Sequence, residues 1–126
     1  RNEGRGLDTS VSPRMMEGRA STDPLVRVTG AQVGADWRAA FHRWLEENIR
    51  YPEDAVRLGE DGRVRVSILA NPDGTVRSVR LVEMSTSPSL NRGTTWPFNG
   101  ARLPAFPPGS DPNGVTVDLT VNYILI

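Results

Sequence analysis

The 126-residue chain contains no cysteine, no lysine and a single histidine, His42. Without thiols there are no disulfides, thiolate metal sites or cysteine nucleophiles, although the redox compartment stays open because oxidising compartments tolerate cysteine-free proteins. One imidazole excludes a zinc site built from two or more histidines of this chain. All 15 basic residues are arginine, matched by 15 acidic residues. That balance disfavours a nucleic-acid or membrane-surface binder relying on bulk charge, so no nucleic-acid partner is expected. The all-arginine usage reads as base-composition bias rather than function. No apolar run approaches the roughly 18 residues of a membrane helix. The first residue is Arg1 and no signal-peptide core follows it, so the sequence reads as a piece of a longer protein from which a membrane anchor has been separated.

Its length sets one domain plus a tail, large enough to bury about two-thirds of the unfolded chain's surface. Residues 1–33 are rich in Gly, Ser, Arg and Asp with little apolar periodicity and read as a flexible tether. Within it, only Leu25-Val26-Arg27-Val28 alternates well enough to suggest a short extended piece that docks as an extra strand. Residues 34–126 read as the domain. Trp37, Phe41, Trp44, Leu45 and Ile49 fall near one face of a helix, with Asp36 as its expected N-cap. Pro52 pushes Tyr51 out of the helical region and makes an extended corner. It can also open a second short helix, with Glu53 and Asp54 at the favourable dipole end and Gly59 as the stop.

Val64, Val66 and Ile68 alternate with polar residues in a half-buried strand. Asn71-Pro72-Asp73-Gly74 is a turn sequence, and the returning strand, Thr75 to Glu83, needs a bulge near Gly74 to bring Val76 and Val79 into phase. Ser87-Pro88-Ser89-Leu90 opens a short or broken helix, with Thr95 capping a last turn that carries Phe98. From Val115 to Leu125 runs the most regular strand of the chain. The order α-β-β-α-β gives an α+β fold of two layers, a three-stranded antiparallel sheet with the helices on one face.

No chemistry assembles on this frame. His42 lies on the expected polar side of its helix, and the neighbouring carboxylates Glu46/Glu47, Glu53/Asp54 and Glu60/Asp61 do not face each other. No catalytic residue, metal ligand or cofactor site is expected, and the chain does not read as an enzyme. What remains is the terminal strand, long, rich in valine, free of proline and carrying only Asp118 as a charge, so it lacks the devices that blunt an edge. Such an edge is either covered by another element or used for strand addition by an extended partner peptide.

Six pieces in order, Arg50-Tyr51-Pro52-Glu53-Asp54-Ala55, Gly62-Arg63-Val64-Arg65-Val66, Asn71-Pro72-Asp73-Gly74-Thr75-Val76, Ser87-Pro88-Ser89-Leu90, Leu103-Pro104-Ala105-Phe106-Pro107-Pro108-Gly109 and a final strand ending Asn122-Tyr123-Ile124, together resemble the TonB C-terminal domain family over about 36–126. The resemblance implies a periplasmic module of an inner-membrane-anchored protein. With inner-membrane proton-channel partners, reached through a region missing here, it would deliver work to outer-membrane transporters for iron complexes or vitamins. It also implies that the transporter's N-terminal box peptide pairs with the last strand, here Val117, Asp118, Leu119, Thr120, Val121, Asn122, Tyr123 and Ile124. The family's Gln-Pro-x-Tyr-Pro corner maps onto Asn48, Ile49, Arg50, Tyr51 and Pro52. Only the Tyr-Pro half matches, since Asn48 stands where Gln is expected and Ile49 where Pro is. Gly93, Thr95 and Pro97 weaken a helix that is usually well formed in the family, and residues 1–33 are not its proline-rich spacer. The alternative is a structural cell-envelope domain whose terminal strand pairs with a second copy, as a homodimer, with another envelope protein, or with a tether segment such as Leu25 to Val28.

Overall fold

The structure, a computed structural model, describes residues 20–126; the first 19 residues of the expected tether lie outside it. Eight elements follow in order: β1 (Ala20–Thr29), α1 (Ala35–Asn48), α2 (Glu53–Leu58), β2 (Gly62–Ala70), β3 (Val76–Glu83), α3 (Pro88–Thr95), a 3-10 turn (Trp96–Phe98) and β4 (Val115–Leu125). The strands form one antiparallel sheet in the order β1-β4-β2-β3 with the helices packed on it. This is the expected α+β architecture with four strands instead of three. The added one is β1, which begins five residues before the Leu25–Val28 alternation.

Alternation in β4 and β2 builds the core. Val115, Val117, Leu119, Val121 and Tyr123 are buried on one face of β4, and Val64, Val66, Ile68 and Ala70 on the same face of β2. The register sets Val64 opposite Val121, Val66 opposite Leu119 and Ile68 opposite Val117. Cross-strand pairs of branched side chains therefore stack in a continuous sheet of apolar contact. Helix α1 lays Trp37, Phe41 and Leu45, spaced by four residues, onto that face. Its aromatic rings extend a line of near-parallel stacks from Phe106 through Trp37, Phe41 and Trp44 to Phe98, with centroids 5.0 to 6.1 Å apart. The Trp37 indole N–H donates to the Pro104 carbonyl at 3.0 Å, so the proline-rich connector Leu103–Gly109 is fastened to α1 at both its aromatic and its polar end.

Local expectations hold at most ends and fail at two. Helix α2 stops at Gly59, whose N–H reaches the Val56 carbonyl while that of Glu60 reaches Ala55 at 2.8 Å, the paired bonds of a Schellman stop. Ser87 caps α3, its Oγ accepting from the Leu90 N–H at 3.3 Å. Thr95 does not cap the 3-10 turn, because its hydroxyl donates back to the Asn91 carbonyl at 2.7 Å. Phe98 is nevertheless buried as expected. Helix α1 starts one residue ahead of Asp36, at Ala35 after Gly34, with no side-chain cap. Asp36 therefore sits inside the first turn, where its charge favours the helix dipole without closing a hydrogen bond. The register between β2 and β3 shifts next to Leu69/Ala70 and again next to Arg65/Val66, which brings Val76, Val79 and Leu81 against the core.

The β2–β3 turn is also a tertiary joint. Gly74 donates to the Asn71 carbonyl at 2.9 Å and accepts from the Leu103 N–H at 2.8 Å. It has φ 97°, and a Cβ there would run into the Leu103 carbonyl oxygen. Gly100 has φ 69° with nothing within 4 Å of a Cβ. Alanine at Gly100 therefore meets only backbone strain of about 1 to 2 kcal/mol, whereas alanine at Gly74 must in addition break the joint to the connector. Urea unfolding should show Gly74→Ala losing roughly 3 kcal/mol or more and Gly100→Ala about 1 kcal/mol. Equal losses would show that the Leu103 contact contributes nothing.

Candidate functional site

The residues expected to hold a partner fall into two groups, the β4 run Val117–Ile124 and the corner Asn48–Pro52. The fold brings one end of each together. Ile49 is buried at the end of α1, and the Tyr51 ring meets the Tyr123 ring edge-on at 5.2 Å and 84°. The Tyr51 hydroxyl donates to the Glu60 carbonyl, which ties the corner to the stop of α2. On the other side of Pro52, Gly93 lets α3 approach so closely that a Cβ there would lie 3.3 Å from the proline ring. The glycine that weakens α3 as a helix also leaves room for the proline ring at the corner. A hydrogen bond from the Ser89 hydroxyl to Asp54, at 2.6 Å, adds a polar fastening between α3 and α2 and holds the Asp54 carboxyl below its usual range. Of the remaining corner residues, Asn48 turns its amide back onto the Trp44 carbonyl at 2.8 Å and Arg50 is exposed.

Tyr123 anchors the strand end in the core. It is 2 % exposed, and its hydroxyl lies 2.6 Å from the Thr94 Oγ1. Because Thr94 gives its one proton to the Leu90 carbonyl at 2.8 Å, the Tyr123 hydroxyl is the donor in this pair. Burial pushes the Tyr123 hydroxyl up to about 12.

The long edge of β4, which carries none of the devices that blunt an edge and was therefore expected to be either covered or used, is covered. Strand β1 runs antiparallel along it for ten residue pairs, from Ala20 opposite Leu125 to Thr29 opposite Thr116. Thr22, Pro24, Val26 and Val28 turn toward the helices and are half-buried, while Ser21, Asp23, Leu25, Arg27 and Thr29 face outward and are exposed. The physical reason is the alternation itself, because Val26 and Val28 extend the apolar face of the sheet past Leu119 and Val117, and Arg27 stands opposite Asp118 on the outer face.

Pro24 lies inside this strand, and the geometry accommodates it. Arg38 of α1 donates to the Val26 carbonyl at 3.4 Å, so Val26 directs its backbone groups away from β4. Two residues earlier, Pro24 has the same phase, and the N–H it lacks would have pointed off the sheet. The free side of β1 is therefore blunted twice, by a missing donor at Pro24 and a capped acceptor at Val26. On the helical side, β1 and α1 leave a groove with two chambers of about 260 and 120 Å³; Pro24 and Leu45 line both, with Val26 and Phe41 in the larger and Thr22 and Ile49 in the smaller. His42, at the mouth of both chambers, stays exposed 4.0 Å from Glu46.

Comparison with known proteins bears on this arrangement. The family described as Gram-negative bacterial TonB protein C-terminal matches residues 47–125, a segment that includes the corner and β4 and excludes β1. Protein TonB of Haemophilus influenzae is 27 % identical over 86 residues, 68 % of this chain and 32 % of that protein. The chain thus spans about a third of the length of that curated relative. No solved structure matches significantly.

The state of Tyr123 gives a pH dependence with a fixed sign. Its folded value lies above the ordinary 10 of tyrosine, so its contribution is whole below pH 10 and is lost as the pH rises from 10 to about 12. The shift corresponds to roughly 3 kcal/mol. Stability measured by denaturant unfolding should fall across that window, and Tyr123→Phe should remove most of the fall. An unchanged alkaline slope in Tyr123→Phe would place its cause elsewhere.

Proposed function

Since the chain belongs to the family of Gram-negative bacterial TonB protein C-terminal domains, we propose that it is a non-catalytic periplasmic binding module that passes force from an inner-membrane proton-driven complex to outer-membrane transporters. The force would pass through an extended segment of the transporter, its N-terminal box, paired with β4. The observation that carries this reading is the family match over residues 47–125, which contains both the corner and the terminal strand. In the full-length protein the module would be tethered to the inner membrane and reach the proton-channel partners through a region outside this chain.

Strand pairing suits the task for a mechanical reason. A segment lying along Val117–Ile124 and pulled along its own axis loads several backbone hydrogen bonds at once, so resistance can be high although each bond contributes only about 0.5 to 1.5 kcal/mol net. The Tyr51-Pro52 corner lies at the Tyr123 end of that strand and offers side-chain contacts where the ladder ends.

The β1–β4 ladder favours a second reading, a structural envelope domain whose terminal strand is completed by its own tether. Titration of the chain with synthetic transporter-box peptides, followed by amide chemical shifts, separates the two. Force transmission expects saturable shifts confined to β4, β1 and the corner. Absence of saturable binding by every box peptide, with dimerisation that grows with protein concentration, would overturn it in favour of the structural role.

A further inference from the structure

We propose that β1 is a removable occupant of the β4 flank, a strand of this chain seated where an incoming extended peptide docks, and that the partner takes the flank by displacing it. The chemistry of the partner is then written in β1 itself: an extended segment with small or β-branched residues at alternate positions, matching Thr22, Pro24, Val26 and Val28, and mostly polar residues between them. That the incoming segment belongs to a transporter rests on the reading above. The removability of β1 does not.

Four observations carry the proposal. None of the ten residues of β1 is buried, whereas five residues of β4 and four of β2 are. The groove of about 260 and 120 Å³ separates β1 from α1, so the strand is held by its ladder to β4 and by the half-buried Val26 and Val28 rather than by close packing against a helix. Its C-terminal end is pinned, since the Asp111 N–H donates to the Gly30 carbonyl at 2.8 Å, and Ala31 and Val33 pack on the core beyond it. Among the described residues, peeling therefore starts from the Ala20 side. The matched family segment begins at residue 47 and includes β2, β3 and β4 without β1, so β1 lies outside the part of the chain that the family model covers.

The geometry also says which backbone groups peeling would release. Because Val26 points away from β4, the residues that exchange hydrogen bonds across this ladder are its neighbours of the other phase, and on β4 these are Thr116, Asp118, Thr120 and Asn122. Val117, Leu119 and Val121 bond instead to β2. If β1 detaches as a unit, the two sets exchange their amide protons at different rates within one strand.

Residue-resolved hydrogen exchange on the intact chain should therefore show Thr116, Asp118, Thr120 and Asn122 exchanging at least tenfold faster than Val117, Leu119 and Val121. Equal rates would overturn the proposal. A second arm uses a fluorescent peptide with the sequence of residues 20–29. It should bind at least tenfold more tightly to Arg27→Pro, which lacks a donor to β4, than to the unaltered chain. In a chain without native cysteines, the opposed outward pair Leu25→Cys/Thr120→Cys allows one cross-link at a separation of about 5.5 Å. Binding of the peptide should be lost on oxidation and return on reduction, an outcome readable even if Arg27→Pro fails to fold. Affinities within twofold in the oxidised and reduced states would overturn the proposal. Box peptides that bind β4 without releasing β1 would overturn it while leaving force transmission standing. Binding of the 20–29 peptide without any box peptide would support it and remove the transporter.

Discussion

Strand β4 is hydrogen-bonded along both edges and buried along one face, and the rest of the molecule is arranged around that single strand. Its inward residues meet β2 across a run of valine, leucine and isoleucine pairs, and the helices close over them. Strand β4 pairs on one side with β1 and on the other with β2, both far from it in sequence, so the fold depends on contacts far apart along the chain. In energetic terms, the face of β4 secures the domain and its edges decide what else can join.

The corner translates that arrangement into a position. Ile49, Tyr51 and Pro52 are held by three neighbours at once, the Tyr123 ring, the Glu60 carbonyl and the Gly93 face of α3. A segment lying on β4 would therefore end against a rigid shelf. The two departures from the family's corner fall unequally here. Ile49 is buried, so the residue standing for proline serves the core. Asn48 closes its own helix end, so its amide is already engaged.

Periodicity made most of this legible in the sequence. Trp37, Phe41, Leu45 and Ile49 announced α1, the alternating valines announced β2 and β4, and Gly59, Ser87 and the Asn71–Gly74 turn marked ends that the coordinates keep. Two things could not be read locally. Gly93 looks like a defect in α3 until Pro52 is placed against it. Strand β1 looks like linker because half of it is polar by position and Pro24 argues against a ladder, and only the phase of its backbone relative to β4 shows that the missing donor faces away. The Leu25–Val28 alternation was visible, but the five preceding residues become strand only because β4 offers a long, regular and otherwise unpaired template. Edge pairing is a property of two segments, and one-segment patterns underestimate it.

A strand that completes its own sheet changes what affinity means for any partner of the same edge. An intramolecular competitor acts at an effective concentration set by its tether, commonly in the millimolar range for short links. The apparent affinity of an incoming segment is reduced by the fraction of time the flank is vacant. A well-packed strand would close the edge for good; a strand with no buried residue and a groove behind it lowers the affinity without abolishing it. Covering the edge also protects a valine-rich ladder from pairing with other copies, the hazard that exposed regular strands carry. The blunted outer side of β1, with Pro24 lacking a donor and Arg38 capping Val26, extends that protection to the new edge. One device thus serves two needs that conflict on a bare β4, namely a ladder regular enough to hold under load and a surface that does not recruit its own kind.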